Sequence, residues 1–434
     1  MGKFSSRGSL PHNQAEGQER HTPMPADALQ CKECKTQYAL EALYVCERCF
    51  GPLEVSYSGW AGVMDAAELK RRIQAGPLNL WRYADFLPLD RVPARSLHTG
   101  FTPLVRADRL AERLGLKEVW VKNETANPTH SFKDRVVSVA LARAVELGFE
   151  TIACASTGNL ANAVAGHAAA AGLPSYVFIP GNLEEEKILA TGAYGTNIVG
   201  VRGNYDDVNR LCTELSGEHE TWAFVNINMR PYYAEGSKTL AYEIIEQLGW
   251  ETPDRIVGPI ASGSLFTKVA RGFDEFRECG LIDAGVPTMN GAQATGCNPV
   301  ASAFAAGRDF CIPVKPDTIA KSLAIGNPAD GPYAIDLAKR TGGSIDEVTD
   351  DEIRAGVRLL AETTGIFTET AGGVTTAVLA KLAERGDIDP DERTVLLITG
   401  DGLKTIDTVR GTFAVADIEP TTTAFDAAFA GAAA

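Results

Sequence analysis

The chain has 434 residues, 45% of them hydrophobic and 22% charged, a composition that fits a folded protein of roughly two to three domains. Its 56 acidic residues against 41 basic ones leave a formal charge of −15. That balance argues against a nucleic acid or an anionic membrane as partner, because the lysine and arginine excess that neutralises phosphates is missing. No run approaches the roughly 18 consecutive apolar residues of a membrane span, and the first thirty residues lack the apolar core of a secretory signal. A cytoplasmic location is therefore expected.

Residues 1–27 are polar, without hydrophobic period, and read as a disordered tail. Residues 28–57 hold two C-x-x-C pairs, Cys31 with Cys34 and Cys46 with Cys49. Two such turns can aim four thiolates at one ion at tetrahedral angles, and a closed four-thiolate set leaves no open position for substrate. Unliganded or redox-active thiols are the competing reading. Cys154, Cys212, Cys279, Cys297 and Cys311 stand singly and read as thiol-form packing residues. From 58 to about 100 the pattern is helix and loop, punctuated by Pro77, Pro88 and Pro93.

From Leu104 onward short β-rich runs alternate with helical patterns. The runs are 118–122, 151–156, 175–180, 197–201, 223–227, 255–260 and 395–399, with helices expected over 134–147, 160–171 and 184–192. This alternation predicts an α/β fold, with parallel strands, right-handed crossovers and ligands beyond the carboxyl ends of the strands. Residues 418–434 read as a weakly ordered C-terminal tail.

Four motifs sit at such strand ends. In NPTHSFKDR, residues 127–135, Ser131 and Asp134 fit a helix-start box. Lys133 then falls in the first turn of an apolar helix, where partial positive charge and apolar walls favour the neutral, nucleophilic amine. In ASTGN, the turn Ser156, Thr157, Gly158 and Asn159 offers N–H groups to an anion such as a carboxylate. In IASGSLFTK, Ala261, Ser262, Gly263, Ser264 and Leu265 can close around a phosphate at a helix N-terminus. In LLITGDGLK, Thr399 ends a buried strand with its hydroxyl aimed past the sheet. Each alone also fits an ordinary turn. Together they supply a lysine, a phosphate cup and a hydroxyl for a ring nitrogen, which is what pyridoxal phosphate needs from a protein.

The set N-P-T-x-S-F-K-D-R, A-S-T-G-N, S-G-S and T-G-x-G-L-K resembles the threonine synthases, which are tryptophan-synthase-β-like, fold-type II pyridoxal phosphate enzymes. The similarity runs over about residues 98–412; EGSKTLAYEIIEQLGW (235–250), KSLAIGNPADGPY (321–333) and GIFTETAGGVTTAVL (365–379) carry it most specifically. The four cysteines followed by FGPLEV (50–55) resemble a family branch with an N-terminal zinc ribbon.

The resemblance implies a small zinc ribbon at 28–57, then a catalytic region over 58–417 made of two interleaved open α/β lobes, the smaller at about 140–235. It implies that Lys133 carries the cofactor through aldimine chemistry and shuttles protons, and that Asn159 bonds the ring oxygen. Ala261 to Leu265 would hold the cofactor phosphate, Thr399 would face the pyridine nitrogen, and Ser156 to Asn159 would hold the substrate carboxylate. Cys31, Cys34, Cys46 and Cys49 would bind a structural zinc. The implied reaction converts O-phospho-L-homoserine and water to L-threonine and phosphate, in a homodimer. Arg230 with Asn226, in the stretch NINMRP, is the candidate site for the substrate phosphate. Two departures stand out: Ala261-Ser262 where many relatives have glycines or Asn, and Asp401 where Asn or His is common. The alternatives are a β-replacing synthase acting on O-phosphoserine, a threonine or serine dehydratase, and a catalytically dead ribbon-bearing binding protein.

Overall fold

The structure, a computed structural model, describes residues 26–57, 64–156, 158–181, 185–203 and 205–429. Most of the expected N-terminal tail and residues 430–434 lie outside the described residues. Ala26 and Asp27, assigned above to the tail, instead open the first strand. Strands β1 (Ala26–Cys31), β2 (Gln37–Tyr38) and β3 (Leu53–Tyr57) form a small antiparallel sheet in the order β2-β1-β3, with the four cysteines at one end.

Beyond it come β4 (Leu104–Arg106) and β5 (Glu118–Asn123), then a separate four-stranded sheet: β6 (Thr151–Ala155), β7 (Ser175–Pro180), β8 (Asn197–Val201) and β9 (Trp222–Phe224). The chain then returns through β10 (Arg255–Pro259), β11 (Thr288–Ala294), β12 (Ile345–Val348) and β13 (Arg393–Ile398). The large sheet runs β12-β11-β10-β13-β5-β4 and the inserted one β8-β7-β6-β9. Every pair is parallel except β4 with β5. The smaller sheet thus spans 151–224, inserted between two strands of one larger sheet.

The strands missed at the sequence level have a physical explanation. Strand β11, TMNGAQA, has only one large apolar residue, and its polar residues are buried because they are paired. Arg255 Nη1 donates to Asn290 Oδ1 at 2.6 Å, and Gln293 Oε1 accepts from the N–H groups of Val300 and Ala301, both at 2.9 Å. Tertiary partners replace the β-branched run that would have betrayed the strand. Strand β9, in contrast, is shorter than the apolar run 223–227. The Asn228 side chain accepts from Phe224 N at 2.8 Å and folds the chain back after Phe224.

The segment before β4 supplies a helix (Ala66–Ala75) and a short 3-10 stretch (Leu80–Phe86). Tyr83 and Phe86 pack on Tyr242 and Phe276, which stack with ring centroids 4.5 Å apart. Such offset aromatic contacts add to the area they bury. The C-terminal helix Thr422–Phe429 buries none of its residues. Among the described residues, no helix is long and apolar enough to cross a membrane. Of the five single cysteines, Cys154, Cys212 and Cys297 are buried and Cys279 and Cys311 half-buried, all as free thiols; burial pushes Cys212 up to about 12.

Candidate active site and cysteine cluster

Parallel strands bring four loops to one end of the two sheets: those after β5, β6, β10 and β13. Lys133 is the first residue of the helix Lys133–Glu146. The helix-start box expected there does not form. Asp134 turns away to accept from Thr129 N and Oγ1, both at 2.8 Å, and from His167 Nε2 at 2.9 Å. The helix start is held instead from β13, where Phe132 N donates to Thr399 O at 2.9 Å. Thr399 is itself buried. Lys133 and Thr399 therefore share one rigid junction.

Lys133 Nζ donates to Tyr233 Oη at 2.8 Å. Tyr233 lies on the helix Arg230–Glu235, one turn from Arg230 and on the same face. Arg230 Nη2 lies 3.0 Å from Asp330 Oδ2. Asp330 in turn abuts the turn after β10, since its N–H donates to Ser262 O at 2.9 Å. Gly263 there has φ +93°, and a Cβ on it would meet the Asp330 carbonyl oxygen at 2.7 Å, so only glycine fits. Gly263 caps the fifteen-residue helix Ser264–Glu278, whose partial positive N-terminus points at the turn. Ala261 and Leu265 are half-buried on either side of that turn. One short helix thus links the lysine to the candidate phosphate loop.

Asn159 starts the helix Asn159–Ala171. Its Nδ2 donates to both oxygens of Glu369, at 3.0 and 2.9 Å, and its Oδ1 accepts from Lys404 Nζ at 2.8 Å. Lys404 also donates to Thr129 O at 2.5 Å, tying the loop after β13 to the lysine loop. Burial raises the Glu369 carboxyl above its ordinary value, against the pull of Asn159, Lys404 and Lys133. Burial likewise lowers the Lys404 ammonium, against the pull of Glu369. A Cβ at Gly400 would meet Glu369 Oε1 at 2.5 Å, so a side chain there would displace the carboxylate that Asn159 holds.

Sequence reasoning passed over Tyr233, Glu369 and Lys404. Glu369 and Lys404 sit inside stretches quoted for their resemblance, GIFTETAGG and TGDGLK, which was the available signal; Tyr233 had none. Ser156 is half-buried, Gly158 is exposed, and Thr157 lies outside the described residues. Asn226 sits beneath this turn, its amide spanning the carbonyl and N–H of Ala155 at 3.3 and 3.4 Å. Asp401 uses its carboxylate to cap the following 3-10 turn, accepting from Leu403 N at 2.8 Å.

The residues fit pyridoxal phosphate on observations of this structure. A lysine and a buried threonine end share one junction, and a glycine-demanding turn caps a long helix. The hydroxyls of Ser131, two residues before Lys133, and of Thr370, next to Glu369, are buried without hydrogen-bond partners. Orphaned polar atoms at such a place are what a missing polar ligand leaves behind.

The sequence profile of the pyridoxal-phosphate dependent enzymes matches residues 95–400. Threonine synthase of Methanocaldococcus jannaschii is 40% identical over 379 residues, covering 86% of this chain and 92% of that protein. Threonine synthase of Methanosarcina acetivorans is 38% identical, covering 88% and 93%, and that of Halalkalibacterium halodurans 39% identical, covering 79% and 92%. The chain belongs to the threonine synthase family of pyridoxal-phosphate dependent enzymes. The fold agrees. A fungal L-serine ammonia-lyase from Rhizomucor miehei superposes with a TM-score of 0.61 at 23% identity, covering 74% of this chain and 100% of that one. Threonine deaminase isoform 2 from Solanum lycopersicum gives 0.60 at 21% identity, covering 80% and 93%.

Like the fold, the N-terminal cysteine cluster is geometrically regular. The two knuckles of this threonine synthase family member are near copies. Lys35 N bonds to Cys31 O at 3.2 Å and Phe50 N to Cys46 O at 2.9 Å, and Lys35 and Phe50 both have φ of 60°. Cys31 N bonds to Thr36 O and Cys46 N to Gly51 O, both at 2.9 Å. All four Sγ atoms lie within 4.8 Å of one another, with Cys31–Cys49 and Cys34–Cys46 at 3.5 Å. Thiolates at about 2.3 Å around a tetrahedral zinc would stand about 3.8 Å apart, so the cluster fits that ion.

Proposed function

We propose that this enzyme converts O-phospho-L-homoserine and water to L-threonine and phosphate. One observation carries the reading: the helix Arg230–Glu235 joins Lys133, through Tyr233, to the turn after β10, through Arg230 and Asp330. A base and two candidate phosphate-binding groups thereby belong to one site, and the substrate and cofactor each bring a phosphate. Pyridoxal phosphate, when bound, supplies the electron sink that lets carbon–hydrogen bonds near the substrate amine break.

The chain's own residues do the rest. Lys133 Nζ would hold the cofactor and, as a free amine, is the base placed to take the α-proton and then a β-proton of the substrate. Tyr233 holds that nitrogen in place between transfers. Asn159, whose Nδ2 donates to Glu369 and whose Oδ1 accepts from Lys404, would turn one N–H from Glu369 to the ring oxygen, and Thr399 would offer an uncharged hydroxyl to the ring nitrogen. Ala261 to Leu265 would hold the cofactor phosphate at the helix N-terminus, and Ser156 to Asn159 the substrate carboxylate. Arg230, with Asn226, would face the phosphate as the Cγ–O bond breaks; Lys133 would return its two protons, one to Cγ and one to Cα, while water gives its hydroxyl to Cβ and its remaining proton to the departing phosphate.

Incubation with O-phosphohomoserine should yield threonine and phosphate in equal amounts. Phosphate without threonine would overturn the reading.

We further propose that Cys31, Cys34, Cys46 and Cys49 hold one structural zinc, that the enzyme is cytosolic, and that it is a homodimer. The dimer is carried by the resemblance to the threonine synthases. Elemental analysis should find one zinc per chain, lost with thermal stability in Cys46→Ser. A full-strength Cys46→Ser protein with no metal in the parent would rule out the zinc.

A further inference from the structure

We infer that Lys32, inside the first cysteine knuckle, is a positioning residue of the active site: it neutralises Asp330 so that Arg230 can leave Asp330 for the substrate phosphate. This rests on the reading of Arg230 given above.

Asp330 is a carboxylate built into the wall of a phosphate site, which is an electrostatic liability. It cannot move away, because its backbone is bonded to Ser262 and packed flush on Gly263. Its side chain is only 9% exposed. Each oxygen has its own cation: Oδ2 has Arg230 at 3.0 Å and Oδ1 has Lys32 at 3.4 Å. Two cations on one carboxylate leave one positive charge to spare.

The two cations are not equally free. Lys32 is held by its knuckle, its N–H donating to Pro52 O at 3.0 Å, and its ammonium sits over the Tyr333 ring at 3.4 Å from the centroid. Tyr333 is in turn hydrogen-bonded to Glu33, the next residue of the knuckle. Arg230, 24% exposed against 16% for Lys32, is the more exposed partner and stands one turn from Tyr233. An arriving phosphate dianion therefore competes with Asp330 for Arg230, the cation suited to bidentate phosphate contact. Lys32 remains on Asp330 and removes the repulsion that would otherwise oppose both the exchange and the phosphate. The ribbon thus reaches the active site through one side chain.

The test is a charge cycle on the zinc- and cofactor-loaded enzyme. Lys32→Gln should raise KM for O-phosphohomoserine and the dissociation constant of inorganic phosphate, read by calorimetry, by about tenfold. The fall in kcat should be smaller, with cofactor and zinc content unchanged. Lys32→Arg should restore both constants. Adding Asp330→Asn to Lys32→Gln should restore phosphate binding, since no carboxylate is left to neutralise. Unchanged phosphate binding in Lys32→Gln, or a loss that Asp330→Asn fails to recover, would overturn the inference. Failure of the proposed reaction is distinguishable, because it would appear as absent threonine from the unmodified enzyme, whereas phosphate calorimetry needs no turnover.

Discussion

Replacing Lys133 with alanine should abolish threonine formation, by at least about 10³-fold in kcat, because one amine holds the cofactor and moves both protons. The same variant should lose the visible absorbance that borohydride bleaches in the unmodified enzyme. The loss should be specific to the amine. The helix start is fixed by Phe132 on Thr399 and by Asp134 on Thr129 and His167, none of which needs the lysine side chain. Near-normal thermal stability is therefore expected. Tyr233→Phe removes the hydroxyl 2.8 Å from Lys133 Nζ but leaves the amine, so roughly a tenfold loss should follow. If Lys133→Ala kept its spectrum, the cofactor would be carried elsewhere.

The largest stability effect is expected just behind that lysine, at Glu243. The side chains of Glu243, Arg135 and Lys122 are all fully buried. Arg135 grips Glu243 through two nitrogens at 2.5 and 2.7 Å and Glu124 through two more contacts at 2.6 and 2.8 Å; Lys122 Nζ stands 2.6 Å from Glu243. Burial alone would raise the Glu243 carboxyl, but Arg135 and Lys122 outweigh it and hold it down to about 2. Glu243→Gln leaves two buried cations facing Glu124 alone, a change that should cost about 3–5 kcal/mol. The exposed pair Arg71–Glu68 should, by contrast, tolerate neutralisation without measurable loss.

The pH dependence has a definite sign. The folded carboxyl titrates below its unfolded value of about 4.3, so its stabilisation is complete above that pH and disappears as pH falls toward 2. Glu243→Gln should therefore be weakened most at neutral pH and show a shallower acid limb in urea titrations. Equal destabilisation at pH 7 and pH 2.5 would show that lost packing, not lost charge, is responsible.

Arg135 and Lys133 illustrate how differently neighbouring positions could be read. Both belong to SFKDR. Lys133 acquired meaning from its motif, because a lysine at a helix start beside three other strand-end loops matches one cofactor's needs. Arg135 has no role that the motif itself indicates. It is wholly buried, and its partners are Glu124, in the turn just after β5, and Glu243 on the helix Thr239–Gln247, more than one hundred residues downstream. Nothing local to the sequence marks such a pair. Ser131 and Asp134 show the reverse error: their spacing fits a local capping box, but a tertiary partner, His167, claims Asp134 and leaves Ser131 Oγ unpaired.

The sequence by itself determined the alternation of strands and helices, the four loops at the strand ends and the paired cysteine knuckles. Each of these depends on residues close along the chain: hydrophobic period, turn chemistry and ligand spacing all act over a few residues. Only the tertiary structure decided that Tyr233 holds Lys133, that Glu369 and Lys404 orient Asn159, and that Lys32 from the ribbon meets Asp330 at the phosphate turn. Those contacts join residues 100, 210, 245 and 298 positions apart. Their energies come from burial and pairing of charge, which exist only once the sheets and the ribbon have packed together.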